Sequence, residues 1–280
     1  MKYHHALLAL LITTLAACAG AGGATTAPSP SLKIDHASGS TDVVLRFEQS
    51  GGFMVPSFLA TRGPIFTLYG DGTVIWHDPT TEPPPAIGTV APGLPSQTAK
   101  LSEDQVQSLL EFALTQGALG VARERYDAPI ADAPEAVFTV NAGGVKKTVS
   151  VNGLGIDLGN ANNPDAAVLA QLAKLMDRLQ KFASEVEEQP WTPDRFRGIL
   201  TEDAFNPPVA WPWPDIQPSD FKAPADPNAF SFPTRTMTPA EVGELGLDAL
   251  EGGEQGLTLS GPDGKTYGFL LRPLLPDETS

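Results

Sequence analysis

The sequence predicts an α+β fold, in which an antiparallel sheet built from hairpins has two or three helices packed on one face. Alternating apolar segments turn around Asp71-Gly72, Gly143-Gly144 and Asp263-Gly264, and such dipeptides are strong hairpin signals. Helix-start signatures lie at Ser102 and Thr238, each ahead of a later hairpin. Because consecutive hairpins pair antiparallel, the intervening helices are expected to cover one face of the sheet.

The N-terminal elements are read from short apolar segments. Val43–Phe47 is β-branched and apolar, and Ile65–Trp76 forms two alternating halves around a turn, so both predict strands. A proline-rich segment, residues 78–95, predicts no regular structure before about Gln97.

The first long helix has the clearest boundaries in the chain. Ser102 and Gln105 form a capping box, and apolar residues follow at helical spacing up to Leu114, with Gly117 as the expected end. A second helix is predicted from Asn163 as N-cap and Pro164 to about Glu187. Its expected buried stripe contains Leu172, Met176, Leu179 and Val186.

The last third of the chain is rich in proline and tryptophan. A strand is predicted at Phe196–Leu200, and a third capped helix begins at Thr238 with Glu241 three residues on. This signature matches the one at Ser102, which indicates either an old duplication or, as we favour, the same capping chemistry used twice.

Three tryptophans in this part, Trp191, Trp211 and Trp213, are the candidate ligand surface. Exposed aromatic faces stack on sugars or hold proline-rich peptides. The alternative is that the rings pack over the first domain as part of an extended arm. We favour packing, because large aromatic side chains usually serve cores.

The single cysteine closes the one long apolar segment of the chain. Lys2 precedes the apolar residues Ala6–Leu15, which would span only about 15 Å as a helix, half the thickness of a bilayer core. This order is typical of an export signal. Leu15-Ala16-Ala17-Cys18 resembles the lipobox of bacterial lipoproteins. The resemblance implies that Cys18 receives a diacylglycerol, that the signal is cut before it and that the new amino terminus is acylated.

Four segments are therefore predicted along the chain. Residues 1–17 are the signal peptide, and 18–40 are the lipidated cysteine and a small-residue tether. Residues 41–188 form the α+β domain, and 189–280 form a Pro/Trp-rich arm with a helix-hairpin unit packed on the first domain.

The main domain also resembles uncharacterised exported bacterial domains of hairpin-helix-hairpin-helix order. The resemblance lies in the "YGDGTV" hairpin and in the "LSEDQVQSLL" helix. It implies a fold and no activity. Some of those domains carry a cysteine pair near the first two strands, where this chain has "GGFMVPSF", so no role of those thiols carries over.

Motifs for catalysis, cofactors or metals are not found. His36 and His77 are too few for a common zinc site, and no GxSxG, P-loop or dinucleotide-binding motif occurs. We interpret His77 as a strand-end histidine. The spacing of Asp157, Asn160, Asn162 and Asp165 does not fit a calcium loop. We therefore predict no catalytic, cofactor-binding or metal residue.

The net charge of −15 disfavours nucleic acid as a partner. We expect a lipid-anchored protein at the periplasmic or extracellular face of the cell envelope, held to the membrane through Cys18. The favoured function is a non-catalytic binding or interaction module with an envelope protein, glycan or small ligand. The alternatives are an envelope-polymer hydrolase with a carboxylate pair and a structural subunit of an envelope assembly.

Overall fold

Two mainly antiparallel sheets and four α-helices form the described part of the chain, which confirms the predicted α+β fold. The computed structural model describes residues 33–156, 163–204, 206–223 and 232–279. Cys18, the signal and the tether up to residue 32 lie outside them, as do Asp157, Asn160 and Asn162. Residues Ile34–Ser280 belong to one unit, and a domain boundary near residue 188 stays a prediction.

The first sheet has the strand order β6-β8-β7-β1-β2-β3-β5-β9. Its strands are β1 (Val43–Gly51), β2 (Phe66–Tyr69), β3 (Thr73–Trp76), β5 (Gln97–Lys100), β6 (Arg125–Tyr126), β7 (Pro134–Ala142), β8 (Val145–Asn152) and β9 (Gln189–Pro190).

The second sheet has the order β11-β13-β14-β10-β12, and β4 pairs with β13. Its strands are β4 (Ala91–Pro92), β10 (Phe196–Thr201), β11 (Val209–Ala210), β12 (Thr234–Met237), β13 (Glu254–Ser260) and β14 (Thr266–Pro273). The helices are α1 (Pro56–Leu59), α2 (Glu103–Leu114), α3 (Ala166–Gln180) and α4 (Pro239–Gly243).

The three predicted hairpins are confirmed as β2–β3, β7–β8 and β13–β14. The first turn needs a glycine, because Gly72 has φ +85° and a Cβ there would lie 2.7 Å from the carbonyl oxygen of Leu101. The chain that leads into α2 therefore lies directly against this turn.

The predicted capping box of α2 is confirmed. The Ser102 backbone N–H donates to Gln105 Oε1 at 2.9 Å, and the Gln105 N–H donates to the Ser102 hydroxyl at 3.4 Å. The box at Thr238 and Glu241 of α4 is formed in the same way.

The start and end predicted for α3 differ from the structure. The Asp165 N–H donates to Asn163 Oδ1 at 2.9 Å, and this local turn delays the helix until Ala166. The helix ends at Gln180, and a 3₁₀ turn at Phe182–Glu185 follows. The turn brings Phe182 into the core, with its ring centroid 4.9 Å from that of Phe66.

Helices α2 and α3 cover one face of the first sheet, as predicted. Phe66 and Leu68 of β2 share a buried cluster with Leu109 of α2 and Leu172 of α3. The opposite face, with Tyr69 and Ile75, packs against Leu275 near the C-terminus. The second sheet has its own core, in which aromatic side chains are prominent.

The C-terminal residues tie the two sheets together, and we call Leu275–Thr279 the C-terminal clasp. Asp277 Oδ1 accepts from Arg46 Nη2 and from the Tyr69 hydroxyl, both at 2.6 Å and both from the first sheet. Glu278 accepts from Arg272 of β14 through both carboxylate oxygens, at 2.6 and 2.9 Å. No helix among the described residues has the length and apolarity needed to cross a membrane.

Candidate ligand-binding site

A cavity of about 300 Å³ lies between the two sheets. The first sheet contributes Gln49 of β1 and His77 just after β3, and the second contributes Glu254 of β13 and Leu271 of β14. Connecting segments close it with Thr61, Arg62, Ser96, Trp191 and Leu275.

Glu254 is the most unusual residue of this lining. Glu254 is only 1 % exposed, and neither of its carboxyl oxygens has a hydrogen-bond partner. Burial raises the pKa of Glu254 well above its ordinary value, which favours the protonated, uncharged form. An unpartnered buried carboxyl is rare in folded proteins and calls for an explanation.

The backbone around Glu254 is shaped by glycines and by a bulge. The β13–β14 register shifts between Glu254 and Leu257, and Gly253 and Gly256 on either side of Glu254 have φ near +85° and +88°. Bulges are common next to functional sites, where they redirect a side chain.

A close backbone contact holds the residue after β4 against the residues that precede β13. The Gly93 N–H donates to the Gly253 carbonyl at 2.8 Å, and a Cβ on Gly93 would lie only 2.0 Å from the Gly252 carbonyl oxygen. Since Gly93 and Gly252 both line the cavity, backbone and not side chains forms this part of its wall.

His77 provides a second neutral polar group. Burial lowers the pKa of its imidazole to about 4, and the nearby Asp78 offsets this only in part. The imidazole is therefore uncharged at neutral pH. The sequence-based view of His77 as a strand-end histidine agrees with its position one residue after β3.

The two arginines of the lining differ in their partners. Arg272 is neutralised by its two hydrogen bonds to Glu278 in the clasp. Arg62 is exposed and donates to Met54 Sδ at 2.6 Å, and no described carboxylate forms an ion pair with it.

The three tryptophans of the candidate ligand surface do not lie on one surface. Trp191 lines the cavity, and its backbone N–H donates to the Ser96 carbonyl at 3.0 Å. Trp211 and Trp213 meet edge to face at 5.2 Å in the second core. Their indole N–H groups donate to the carbonyls of Ile216 and Glu241, so protein groups already satisfy both.

Metal-binding geometry is not found within the part of the chain that the structure describes, where no group of three or more His, Cys, Asp or Glu converges. Glu254 is also the one acidic residue among the described residues that line the cavity. Sequence reasoning missed it. The available signal was the glycine cluster in "EGGEQG", since glycines inside a strand segment mark bulges and close backbone approach.

No protein-family model matches this chain, and searches of curated proteins and of solved structures found no match either.

Proposed function

We propose that this protein is a lipid-anchored, non-catalytic binding protein of the cell envelope that takes a small ligand into the cavity between its sheets. The observation that carries the binding role is Glu254, which borders the cavity and whose buried carboxyl has no protein partner. A ligand would supply the missing hydrogen bonds.

The cavity has the character of a small-molecule site. Its volume is at the lower end of the roughly 300–1,000 Å³ of ligand pockets. Apolar side chains such as Leu271 and Leu275 stand beside a few polar groups, and this mixture is typical of sites that orient a small ligand.

The hydrolase alternative gains no support from this cavity. Glycoside hydrolysis uses two carboxyl groups, about 5–9.5 Å apart, on either side of the bond that breaks. Glu254 stands without a second acidic residue in the described lining, and the neutral His77 forms no hydrogen bond with a described carboxylate. Binding without turnover accounts for these residues better.

The anchoring role rests on the lipobox-like residues Leu15-Ala16-Ala17-Cys18. Two or three acyl chains hold a protein firmly to a bilayer, since each buried CH₂ contributes about 0.8 kcal/mol. Replacement of the thiol by Cys18→Ser should move the protein from the membrane fraction to the soluble fraction. A variant that still sediments with membranes would exclude anchoring through Cys18.

The binding role is tested by filling the cavity. A Cβ on Gly63 meets only Arg272 Nη1, at 4.0 Å, so this position of the cavity wall has room for the start of a side chain, and we expect Gly63→Leu to fill part of the cavity. Protein isolated from its native envelope should carry a small-molecule adduct in its non-denaturing mass spectrum. We expect Gly63→Leu to lose the adduct and the matched Gly63→Ala to keep it. A wild-type protein without adduct, or equal adducts in all three, contradicts the binding role.

A further inference from the structure

The hydrogen-bonding capacity of Glu254 defines what a ligand must offer. A protonated carboxyl has one O–H donor and a carbonyl oxygen that accepts. Both oxygens of Glu254 are buried and unpartnered, so the donor and the acceptor both lack a protein partner. A ligand that forms hydrogen bonds with both oxygens of Glu254 needs an acceptor and a donor side by side.

Glu254 borders the cavity, and its carboxyl oxygens lie just beneath the cavity surface, so a ligand reaches them only where the adjoining wall moves aside. Glu254 pairs directly with Leu271 across β13 and β14, and directly opposed residues of an antiparallel pair share a face. Both residues line the cavity. A ligand beside Glu254 would therefore contact the apolar Leu271 at the same time.

The charges around Glu254 argue against a ligand cation there. Its strand partners, Pro92 of β4 and Leu271 of β14, are uncharged. The titratable groups elsewhere in the lining are His77, Arg62 and Arg272. A ligand cation would meet Arg62, which has no described carboxylate partner, and would require Glu254 to ionise while buried, which low-dielectric surroundings oppose.

An anionic ligand group would match the carboxyl only in part. A carboxylate accepts the proton of Glu254 but has no donor for the second oxygen. A primary amide or a lactam has both, because its carbonyl accepts and an N–H on the same side of the C–N bond donates, whereas the N–H of a trans peptide group points the other way. The pairing leaves neither oxygen of Glu254 unsatisfied.

We propose, on the basis of the binding role above, that the ligand carries an uncharged primary amide or lactam group, held in a two-point hydrogen bond by the carboxyl of Glu254. The apolar remainder of the ligand contacts Leu271, Leu275 and Trp191. The site selects amides against amines, carboxylates and esters of the same size.

Four matched probes test this selection: benzamide, methyl benzoate, benzylamine and benzoate. Calorimetric titration at pH 6 should show benzamide binding at least tenfold more tightly than each of the others, which corresponds to the loss of one hydrogen bond or more. Tightest binding of benzylamine or benzoate overturns the amide assignment.

Two substitutions separate recognition from packing. Glu254→Gln keeps a donor and an acceptor in nearly the same places, so benzamide should bind within about threefold of wild type. Glu254→Leu removes both and should weaken benzamide at least tenfold. Wild-type affinity in Glu254→Leu overturns the proposal, and melting curves check that each variant is folded.

The pH dependence gives an independent readout. The wild-type affinity for benzamide should fall as rising pH deprotonates Glu254, whereas Glu254→Gln should show no such fall. A benzamide affinity that rises with pH would show that the ionised carboxylate is the binding form and overturns the proposal.

The failure of the amide assignment differs from the failure of the binding role. If benzylamine or benzoate binds most tightly and Gly63→Leu abolishes that binding, the cavity remains a ligand site and only the amide assignment is wrong. If no probe binds wild type, the amide assignment is wrong, and the native adduct measured with Gly63→Leu decides the binding role separately.

Discussion

Asp277 and Glu278 in the C-terminal clasp each meet a guanidinium group, whereas Glu254 in the cavity meets no partner at all. Burial alone would raise the pKa of all three carboxyls. In the clasp, burial is the largest single influence, but the hydrogen bonds and attractive charges of Arg46, Tyr69 and Arg272 together outweigh it. They hold the pKa values of Asp277 and Glu278 below their ordinary range. At Glu254 burial acts without opposition.

The difference separates two uses of a buried acid. The clasp carboxylates join the two sheets, so their hydrogen bonds contribute to the folded state. The unpartnered carboxyl of Glu254 destabilises the folded state, because a buried polar group without a partner costs about 1–3 kcal/mol. We infer that the chain tolerates this loss of stability because the carboxyl serves the proposed ligand binding.

The largest effect is expected from Glu278→Ala in the clasp. This change leaves Arg272, whose side chain is 8 % exposed, as a buried and unpaired cation. Loss of one partner of a buried ion pair costs about 3–5 kcal/mol, so the free energy of unfolding measured in urea should decrease by that amount. A decrease below about 1 kcal/mol would mean that the clasp does not join the sheets.

Asp277→Asn should have the next largest effect. The amide keeps the shape but loses the charge that binds Arg46 and Tyr69, so we expect a loss of about 2 kcal/mol. Urea unfolding of this variant beside Tyr69→Phe, which removes only the hydroxyl, apportions the loss between the two donors. An unchanged free energy of unfolding in Asp277→Asn would show that the charge of Asp277 contributes nothing.

The contributions of the clasp and of Glu254 to the stability of the folded state should change with pH in opposite directions. Stability from the lowered pKa of Glu278 is present above about pH 4.3 and is lost as pH falls through the folded pKa. Stability from the raised pKa of Glu254 is present below about pH 4.3 and is lost as pH rises toward the folded pKa, by up to about 1.4 kcal/mol per pH unit.

Urea unfolding between pH 3 and pH 8 measures both responses. The advantage of wild type over Glu278→Gln should shrink toward pH 3, and the advantage of Glu254→Gln over wild type should grow toward pH 8. Parallel curves for wild type and Glu254→Gln would show that Glu254 does not have a raised pKa.

The smallest effect is expected at an exposed ion pair, which serves as the baseline for the clasp. Arg125 and Asp127 are 63 % and 66 % exposed and lie 2.7 Å apart. Exposed pairs contribute little, so Asp127→Asn should change the free energy of unfolding by less than about 0.5 kcal/mol. A loss as large as that of Asp277→Asn would remove the distinction between clasp and surface.

Local patterns account for what the sequence predicted of the fold. The β2–β3, β7–β8 and β13–β14 hairpins and the caps at Ser102 and Thr238 depend on residues that are close in sequence, so turn and capping chemistry reveals them. The division into two sheets depends on distant pairings, such as Ala91 of β4 with Gln255 of β13, which no local pattern contains.

Short strands and the candidate site were harder to predict for the same reason. Strands β6, β9 and β11 have two residues each, too few for an alternating pattern. Glu254 looks like any surface glutamate in sequence, because its burial follows from the packing of β4 and β14 beside it. Trp191 was selected as an aromatic residue, and only the fold places it in the lining.

A crystal structure of the protein soaked in benzamide, at a resolution that separates the carboxyl oxygens, would show whether a ligand supplies the partners that Glu254 lacks. We expect benzamide in the cavity, with its amide oxygen and nitrogen each within about 3.2 Å of a different oxygen of Glu254. Benzamide bound elsewhere, or protein groups within hydrogen-bond distance of both carboxyl oxygens, would contradict this expectation.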